Sequence, residues 1–307
     1  MYDQVSSNKR RSALLVVGFV VFVVLVAEAF NLLLGGGVVG LVLALVVAGV
    51  SAFAAYWKSD SIALAMSRAH PADPVEYARL HNLVEGLCIA SGLPKPRIHV
   101  VDDPAPNAFA TGRDPQHAAI AVTTGLLEKM NRIELEGVIA HELSHIKNYD
   151  ILVSTLAVTM VGVVALLSDF GLRMLWWGGG RRSYSDNDRG GNPIGAIILI
   201  PALLLLVLSP FIAKAMQAAV GRRRESLADF SGVEMTRYPP GLISALEKLR
   251  DDSTVVHSGS RATAHLWIEE PSPQTDAEGS VSFLNRLNRL FATHPPLDER
   301  IAALREL

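Results

Sequence analysis

The chain has 307 residues, a net charge of −2 and a composition that is 50% hydrophobic and only 19% charged. Its mean hydropathy is +0.30, and so much apolar material excludes a disordered chain, which lacks apolar surface to bury. Cys88 is the single cysteine, which excludes a disulfide scaffold, and the near-neutral charge gives no reason to expect nucleic acid as a partner.

The apolar residues are concentrated in four segments, at 14–34, 38–57, 151–167 and 194–213. A helix of about 20 residues spans the hydrocarbon core of a bilayer, and the second and fourth segments meet that length. The third segment is at the lower limit, so a buried soluble helix is the alternative for it. We predict an integral membrane protein with about four transmembrane helices.

The first two segments predict a transmembrane hairpin at 13–57, joined through the glycines at 35–37. A cleaved signal peptide is the alternative, because basic residues precede the first segment and 27–29 resembles a cleavage site. Lysine and arginine flank both outer ends of the hairpin, which places residues 1–12 in the cytoplasm. The arginine-bearing loop 178–192 departs from this rule, since it would face outward.

Two blocks of ordinary soluble character follow the hairpin and the fourth segment. In the first block, Val75, Leu80 and Val84 lie on one apolar stripe, and Asn131 with Glu134 resembles a helix-capping pair. The predicted elements are helices over 74–93, 124–130, 131–149, 222–237, 240–250 and 297–307, strands over 98–101 and 118–123, and a loop over 251–280.

The sharpest motif is His141-Glu142-Leu143-Ser144-His145, an H-E-x-x-H. Two histidines at i and i+4 on a helix point the same way and can share one metal ion. Glu142 lies beside that position, where its carboxylate can polarise a bound water. A surface helix that carries these residues by chance is the alternative.

A catalytic zinc needs a third protein ligand, and Glu225 is the candidate. Asp229 lies one turn later, where its carboxylate can accept the free ring N–H of a ligand histidine. By itself this E-x-x-x-D pattern is more often a solvated helix face. The three-ligand hypothesis also requires an even number of membrane crossings between Ile151 and Ala213, because otherwise a bilayer would separate Glu225 from His141.

The order of these motifs resembles the M48 family of membrane metalloproteases, in its branch of HtpX heat-shock proteases. The resemblance implies a mainly α (α+β) fold, with a helix-rich gluzincin-like domain and a small β-sheet. It also implies one Zn²⁺ per chain, held by His141, His145 and Glu225. The stretches that carry the resemblance are the hairpin, 107–112, 141–150, 222–229, 265–268 and 293–301.

The resemblance implies an endopeptidase that degrades damaged or misfolded membrane proteins, on the cytoplasmic side of the plasma membrane, as protein quality control. In this hypothesis zinc activates a water of pKa about 7, and Glu142 acts as general base and then as general acid. The parts are the amino terminus (1–12), the hairpin (13–57), the first protease part (58–150), two transmembrane segments with their loop (151–213) and the second protease part (214–307).

The resemblance also assigns residues outside the metal motifs. Asn107 would border the substrate cleft, and His294 would donate to the developing oxyanion. A turn asparagine and a structural histidine are the alternatives. Arg222 would support the site beside Asp229 as a second oxyanion donor; pairing with a carboxylate and anchoring of lipid headgroups are the alternatives.

Three other functions are compatible with these motifs. CAAX prenyl endopeptidases share the zinc motifs, but resemble a chamber of roughly seven spans, against four segments here. A non-proteolytic membrane transport or scaffold protein with structural zinc is suggested by Glu28 and Asp169, which lie within or beside apolar segments. A catalytically silent homologue is the third. The sequence predicts neither the physiological substrate nor the oligomeric state.

Overall fold

The computed structural model describes residues 2–34, 37–157, 222–254, 266–268 and 295–307. Two long helices begin the chain, α1 (Tyr2–Leu34) and α2 (Gly37–Met66), and they pack against each other. Both helices extend beyond the 13–57 span that was predicted for the transmembrane hairpin.

Among the residues that the structure describes, no helix has both the length and the apolar character needed to cross a membrane. Residues 158–213, which contain most of the third and fourth predicted segments, lie outside that part of the chain. Residues 151–157 are helical and largely buried, and Thr155 Oγ1 lies 2.9 Å from Thr111 Oγ1.

The described strands form one mixed sheet in the order β1-β2-β4-β3. The β2 and β4 strands are parallel, whereas β1 and β3 pair antiparallel with β2 and β4. The strands predicted at 98–101 and 118–123 are confirmed as β2 and β4. Sequence analysis missed β1, which is too short to show a pattern, and β3, whose small residues give no strand periodicity. The strands are β1 (His70–Pro71), β2 (Arg97–Val101), β3 (Ala108–Gly112) and β4 (Ala118–Thr123).

The helix α3 (Ala78–Ser91) begins later than predicted. Asp73 Oδ1 accepts hydrogen bonds from the backbone N–H groups of Val75 (2.8 Å) and Glu76 (3.0 Å), and these bonds favour a turn before the helix. Val75 is 87% exposed, so its predicted place on the buried stripe was wrong. Gly92 ends the helix at φ 70°, in the left-handed region that favours glycine.

The helix α5 (Arg132–Lys147) carries the H-E-x-x-H motif, and its start is firmly held. It follows a short 3₁₀ turn (Pro115–His117), β4 and the short helix α4 (Thr124–Lys129). The predicted capping pair is confirmed: Asn131 Oδ1 accepts from Glu134 N (3.0 Å) and Glu134 Oε2 accepts from Asn131 N (2.8 Å). Glu134 is buried and also accepts from Ser244 Oγ and Lys248 Nζ, each at 2.7 Å.

Of the three remaining described helices, the first two pack against α5 and the third packs mainly on the second, and their predicted positions are confirmed. A Cβ atom on Gly232 would lie 3.0 Å from His141 N, so glycine allows the closest approach of α5 to the next helix. Gly137 has the same role on the other side of α5, where a Cβ atom would lie 2.7 Å from Leu242 N. These helices are α6 (Arg222–Thr236), α7 (Pro239–Asp251) and α8 (Leu297–Arg305). Most of the predicted loop at 251–280 lies outside the described residues.

Candidate metal centre

The last two turns of α5 bring the two histidines of the motif together. His141 is buried and His145 is nearly so, and their Nε2 atoms are 3.2 Å apart. The ring planes are almost perpendicular, at 88°. Both Nε2 atoms therefore converge on one point beside the helix, as the i and i+4 spacing predicts.

Glu225 reaches the same point from the first turn of α6. Its Oε1 lies 3.6 Å from His145 Nε2, and its Oε2 lies 3.7 Å from His141 Nε2. In the described part of the chain, these three residues form the one group of three metal-ligand side chains whose donor atoms all lie within 4.8 Å.

The spacing of these donor atoms fits a metal ion. Ligand bonds of about 2.0–2.1 Å in a tetrahedral site place the ligand atoms roughly 3.3 Å apart. The two Nε2 atoms are 3.2 Å apart, and each lies 3.6 or 3.7 Å from one of the two Glu225 oxygens, which is close to that value. Two imidazoles and one carboxylate also form a common ligand set of catalytic zinc sites, which leaves a fourth position for water.

The surroundings of the two histidines are acidic, which favours a bound cation. Burial by itself would lower the pKa of His145, but the hydrogen bond to Asp150 and the charges of Glu225, Asp150 and Glu142 raise it to about 9. The same carboxylates would stabilise a divalent ion at this point.

Glu142 is almost completely buried beside the two histidines. Burial raises the pKa of its carboxyl group, although the charges of His141 and His145 act in the opposite direction. A carboxylate with a raised pKa is a better proton acceptor near neutral pH, which is the property a general base needs.

Asp229 contacts His141 on the Nδ1 side of its ring, away from the candidate metal position, and Arg300 pairs with Asp229. Asp229 Oδ1 lies 2.9 Å from His141 Nδ1, where it can accept the ring N–H and leave Nε2 facing the ligand position. Arg300 donates to both oxygens of Asp229, with Nε 2.9 Å from Oδ2 and Nη2 2.7 Å from Oδ1. Its Nη1 lies 3.7 Å from Glu225 Oε2. We call Asp229 and Arg300 the His141 network.

Arg300 received no role in the sequence analysis, although it is buried at the centre of the site. An arginine in the last helix of the chain has no spacing relation to His141 or Glu225. The signal that pointed to it was its place in the stretch 293–301, which carries part of the family resemblance. Bidentate pairing with Arg300 keeps the Asp229 carboxylate ionised: burial acts to raise the pKa of Asp229, but Arg300 and His141 lower it below its usual value.

Asp150 contacts the Nδ1 side of the His145 ring, as Asp229 does for His141. Its Oδ2 lies 3.2 Å from His145 Nδ1, and its Oδ1 lies 3.7 Å from the guanidinium Nε of the buried Arg224. Neither residue was assigned a role from the sequence. Arg222, by contrast, was assigned a supporting role from the sequence. It is the first residue of α6, but its side chain lies outside the described part of the structure.

Asn107 is buried immediately before β3, the edge strand of the described sheet. Its backbone N donates to Thr123 Oγ1 (2.8 Å) and its Oδ1 accepts from Ala108 N (3.0 Å), so it fixes the start of the strand. On the outer edge, Ile268 N donates to Ala108 O at 3.0 Å. His294, the predicted oxyanion donor, lies outside the described residues.

Two histidines one turn apart, a carboxylate from a second helix and a buried glutamate beside them define the centre of a metallopeptidase. The model of one family, "Peptidase family M48", matches residues 74–307. The chain therefore belongs to peptidase family M48, and it is a metalloprotease with a metal cofactor and protein substrates.

Two relatives that align over the whole chain support this family membership. The chain is 43% identical to the "Protease HtpX homolog" of Streptococcus pyogenes serotype M28, covering 100% of both chains. It is 42% identical to the protein of that name from Caldanaerobacter subterraneus subsp. tengcongensis, covering 100% of this chain and 98% of the relative. A solved structure, "Crystal Structure of S. mikatae Ste24p", is 19% identical with a TM-score of 0.48, covering 99% of this chain and 67% of that one.

Proposed function

We propose that this metalloprotease is a zinc-dependent endopeptidase of the plasma membrane that cleaves damaged or misfolded membrane proteins. The observation that carries the proposal is the convergence of His141, His145 and Glu225 beside the buried Glu142. Two imidazoles, one carboxylate and an adjacent base are the groups that peptide hydrolysis at a zinc ion requires.

His141, His145 and Glu225 would hold one zinc ion per chain. Bound zinc would supply a Lewis acid for the scissile carbonyl and lower the pKa of a water to about 7. Glu142 takes a proton from the attacking water while the water oxygen forms a bond to the carbonyl carbon. Glu142 then gives this proton to the amide nitrogen as the C–N bond breaks.

The surrounding residues keep the ligands in position and receive the substrate. Asp229 orients His141 with Arg300, and Arg222, three residues before Glu225, adds support on α6. Asn107 borders the cleft, where an extended peptide pairs with the edge of the sheet. His294 donates to the oxyanion that forms on the carbonyl oxygen.

The membrane part of the proposal places 13–57 and 151–213 in the bilayer, with 58–150 and 214–307 in the cytoplasm. Hydropathy supports it, and so do apolar side chains that α1 and α2 leave exposed, such as Val17 at 60% and Phe53 at 64%. The packing of α5 against α6 supports an even number of crossings between them. Membrane-protein substrates and contact with lipid follow from this placement.

Glu142→Gln tests the mechanism directly. The variant keeps the size of the side chain but cannot accept the proton, so we expect cleavage to fall at least about 100-fold while one zinc per chain remains bound. Glu136→Gln, a partly exposed change on the same helix, is the matched control and should cleave normally. Detergent-purified proteins are incubated with a membrane-protein substrate, with chelator or added zinc, and cut sites are mapped by mass spectrometry.

The outcomes separate the proposal from its alternatives. Normal cleavage by Glu142→Gln would refute the assigned general base. Zinc binding without any cleavage by the unmodified chain would favour a scaffold or transport protein with structural zinc. Loss of both zinc and cleavage in His145→Ala, with Glu136→Gln unaffected, supports the proposed endopeptidase.

A further inference from the structure

The amino-terminal end of α1 contacts the turn that follows the H-E-x-x-H helix. Asn8 is buried, and its Nδ2 donates to Asn148 O at 2.9 Å and to Asp150 Oδ1 at 2.7 Å. A primary amide has two N–H donors, so both are used. The opposite amide orientation would set Asn8 Oδ1 against two oxygen acceptors, which fixes the assignment.

The turn that Asn8 contacts is strained and therefore needs support. Tyr149 lies between the two acceptors and has φ 58°, in the left-handed region that favours glycine. Lys9 Nζ lies 4.5 Å from the centroid of the Tyr149 ring, within cation–π distance. Adjacent residues of α1 thus hold all three residues of the turn, 148–150.

Asp150 connects this turn to the candidate metal centre. Its Oδ1 accepts from Asn8, and its Oδ2 lies 3.2 Å from His145 Nδ1. A carboxylate behind a ligand histidine fixes the ring orientation and the tautomer that leaves Nε2 to the metal. The position of Asn8 therefore determines where one oxygen of that carboxylate lies, and through it the direction of the His145 ring.

We propose that Asn8 is a positioning residue of the metal centre, so that the amino-terminal end of α1 completes the site rather than forming an independent tail. The inference rests on the proposed function, because it requires His145 to be a metal ligand. It adds that removal or displacement of residues 2–12 weakens metal binding, although these residues contact neither the ion nor the substrate. We call Asn8, Asp150 and Arg224 the His145 network.

The experiment measures zinc affinity of the full-length, detergent-purified chain by competition with a chromophoric chelator. Asn8→Ala removes both hydrogen bonds, and we expect zinc affinity to fall about tenfold, the lower end for outer partners of a metal ligand. We expect kcat to fall with KM unchanged, because substrate contacts remain. Ser12→Ala is the matched control, since Ser12 is buried on the same helix and its hydroxyl bonds to no described residue.

A double-mutant cycle with Asp150→Ala keeps the test decisive if Asn8→Ala also lowers folding stability. If Asn8 acts through Asp150, the change Asn8→Ala should have no further effect on zinc affinity once Asp150 is removed. Equal losses in both backgrounds, or unchanged zinc affinity in Asn8→Ala, would overturn the inference. Failure of the unmodified chain to bind zinc would instead overturn the proposed function.

Discussion

The two histidines of the H-E-x-x-H motif lie one turn apart on α5, but the networks that contact them differ in origin and in charge. The His141 network comes from α6 and α8, and is a buried, bidentate ion pair. The His145 network combines the neutral amide of Asn8 on α1 with the longer 3.7 Å contact of Arg224. His145 is also more exposed, with 15% of its side chain accessible against 1% for His141.

This difference indicates that the two networks contribute differently to the protein. A buried charge that loses its partner costs much more than a lost neutral hydrogen bond. The His141 network should therefore affect folding stability and metal binding together. Loss of Asn8 from the His145 network should affect mainly metal binding, because the donor that is removed is neutral and Asp150 still faces the guanidinium of Arg224.

Removal of Arg300 should have the largest effect. Arg300→Met keeps the apolar stem but leaves Asp229 and Glu225 buried without their guanidinium, so the free energy of unfolding should fall by about 3–5 kcal/mol. Denaturant unfolding of the metal-free chain, followed by tryptophan fluorescence, measures this loss.

The control for Arg300 lies on the same helix. Arg305 pairs with Glu247 at the surface, with 64% of its side chain exposed. We expect Arg305→Ala to cost less than about 1 kcal/mol. Equal losses in the two variants would contradict the assigned importance of the His141 network.

Asp150→Asn should have a smaller effect on stability and a clear effect on metal binding. The amide can donate to His145 Nδ1 and so favour the wrong tautomer, and zinc affinity should fall about 10–100-fold. Asp229→Asn is the informative comparison, because it breaks the close bidentate pair with Arg300, whereas Asp150→Asn removes only the longer contact with Arg224; it should lose stability as well as zinc. Chelator competition measures the zinc affinity of both variants, and denaturant unfolding measures their stability. Unaltered zinc affinity in Asp150→Asn would contradict the role assigned to the His145 network.

Acidification should weaken the start of α5, where the buried Glu134 belongs to neither network. Burial acts to raise the pKa of Glu134, but bonds to Lys248, Asn131 and Ser244 lower it below its usual value. A depressed folded-state pKa gives stability that is present above about pH 4.3 and is lost as the pH falls through the folded-state pKa. Glu134→Gln should be less stable than the unmodified chain at pH 7 by about 1 kcal/mol.

The measurement is denaturant unfolding of both metal-free proteins between pH 7 and pH 3. The difference between them should shrink as the pH falls, because protonated Glu134 resembles glutamine. A difference that stays constant over this range would exclude ionised Glu134 as the stabilising group.

Local patterns predicted most of the described elements. The capping pair Asn131 and Glu134, the i and i+4 histidines and the apolar run of β4 each depend on neighbours within a few residues. The misses have local causes as well: Asp73 forms a turn before α3, and the small residues of β3 carry no periodic signal. Asn107 and His294 keep their proposed roles, which only experiments on substrate binding will test.

The sequence by itself determined the H-E-x-x-H helix, the third carboxylate and the family, because these depend on short spacings and on motif order. The sequence also offered Asp229 as a partner of one histidine, but only the tertiary structure decided that this histidine is His141 and which other groups contact the two rings. Asn8 and Arg300 come from opposite ends of the chain: Asn8 contacts the turn that follows α5, and Arg300 contacts His141 on α5. Such pairs have no fixed spacing along the chain, because packing of the helices, rather than helical periodicity, brings them together.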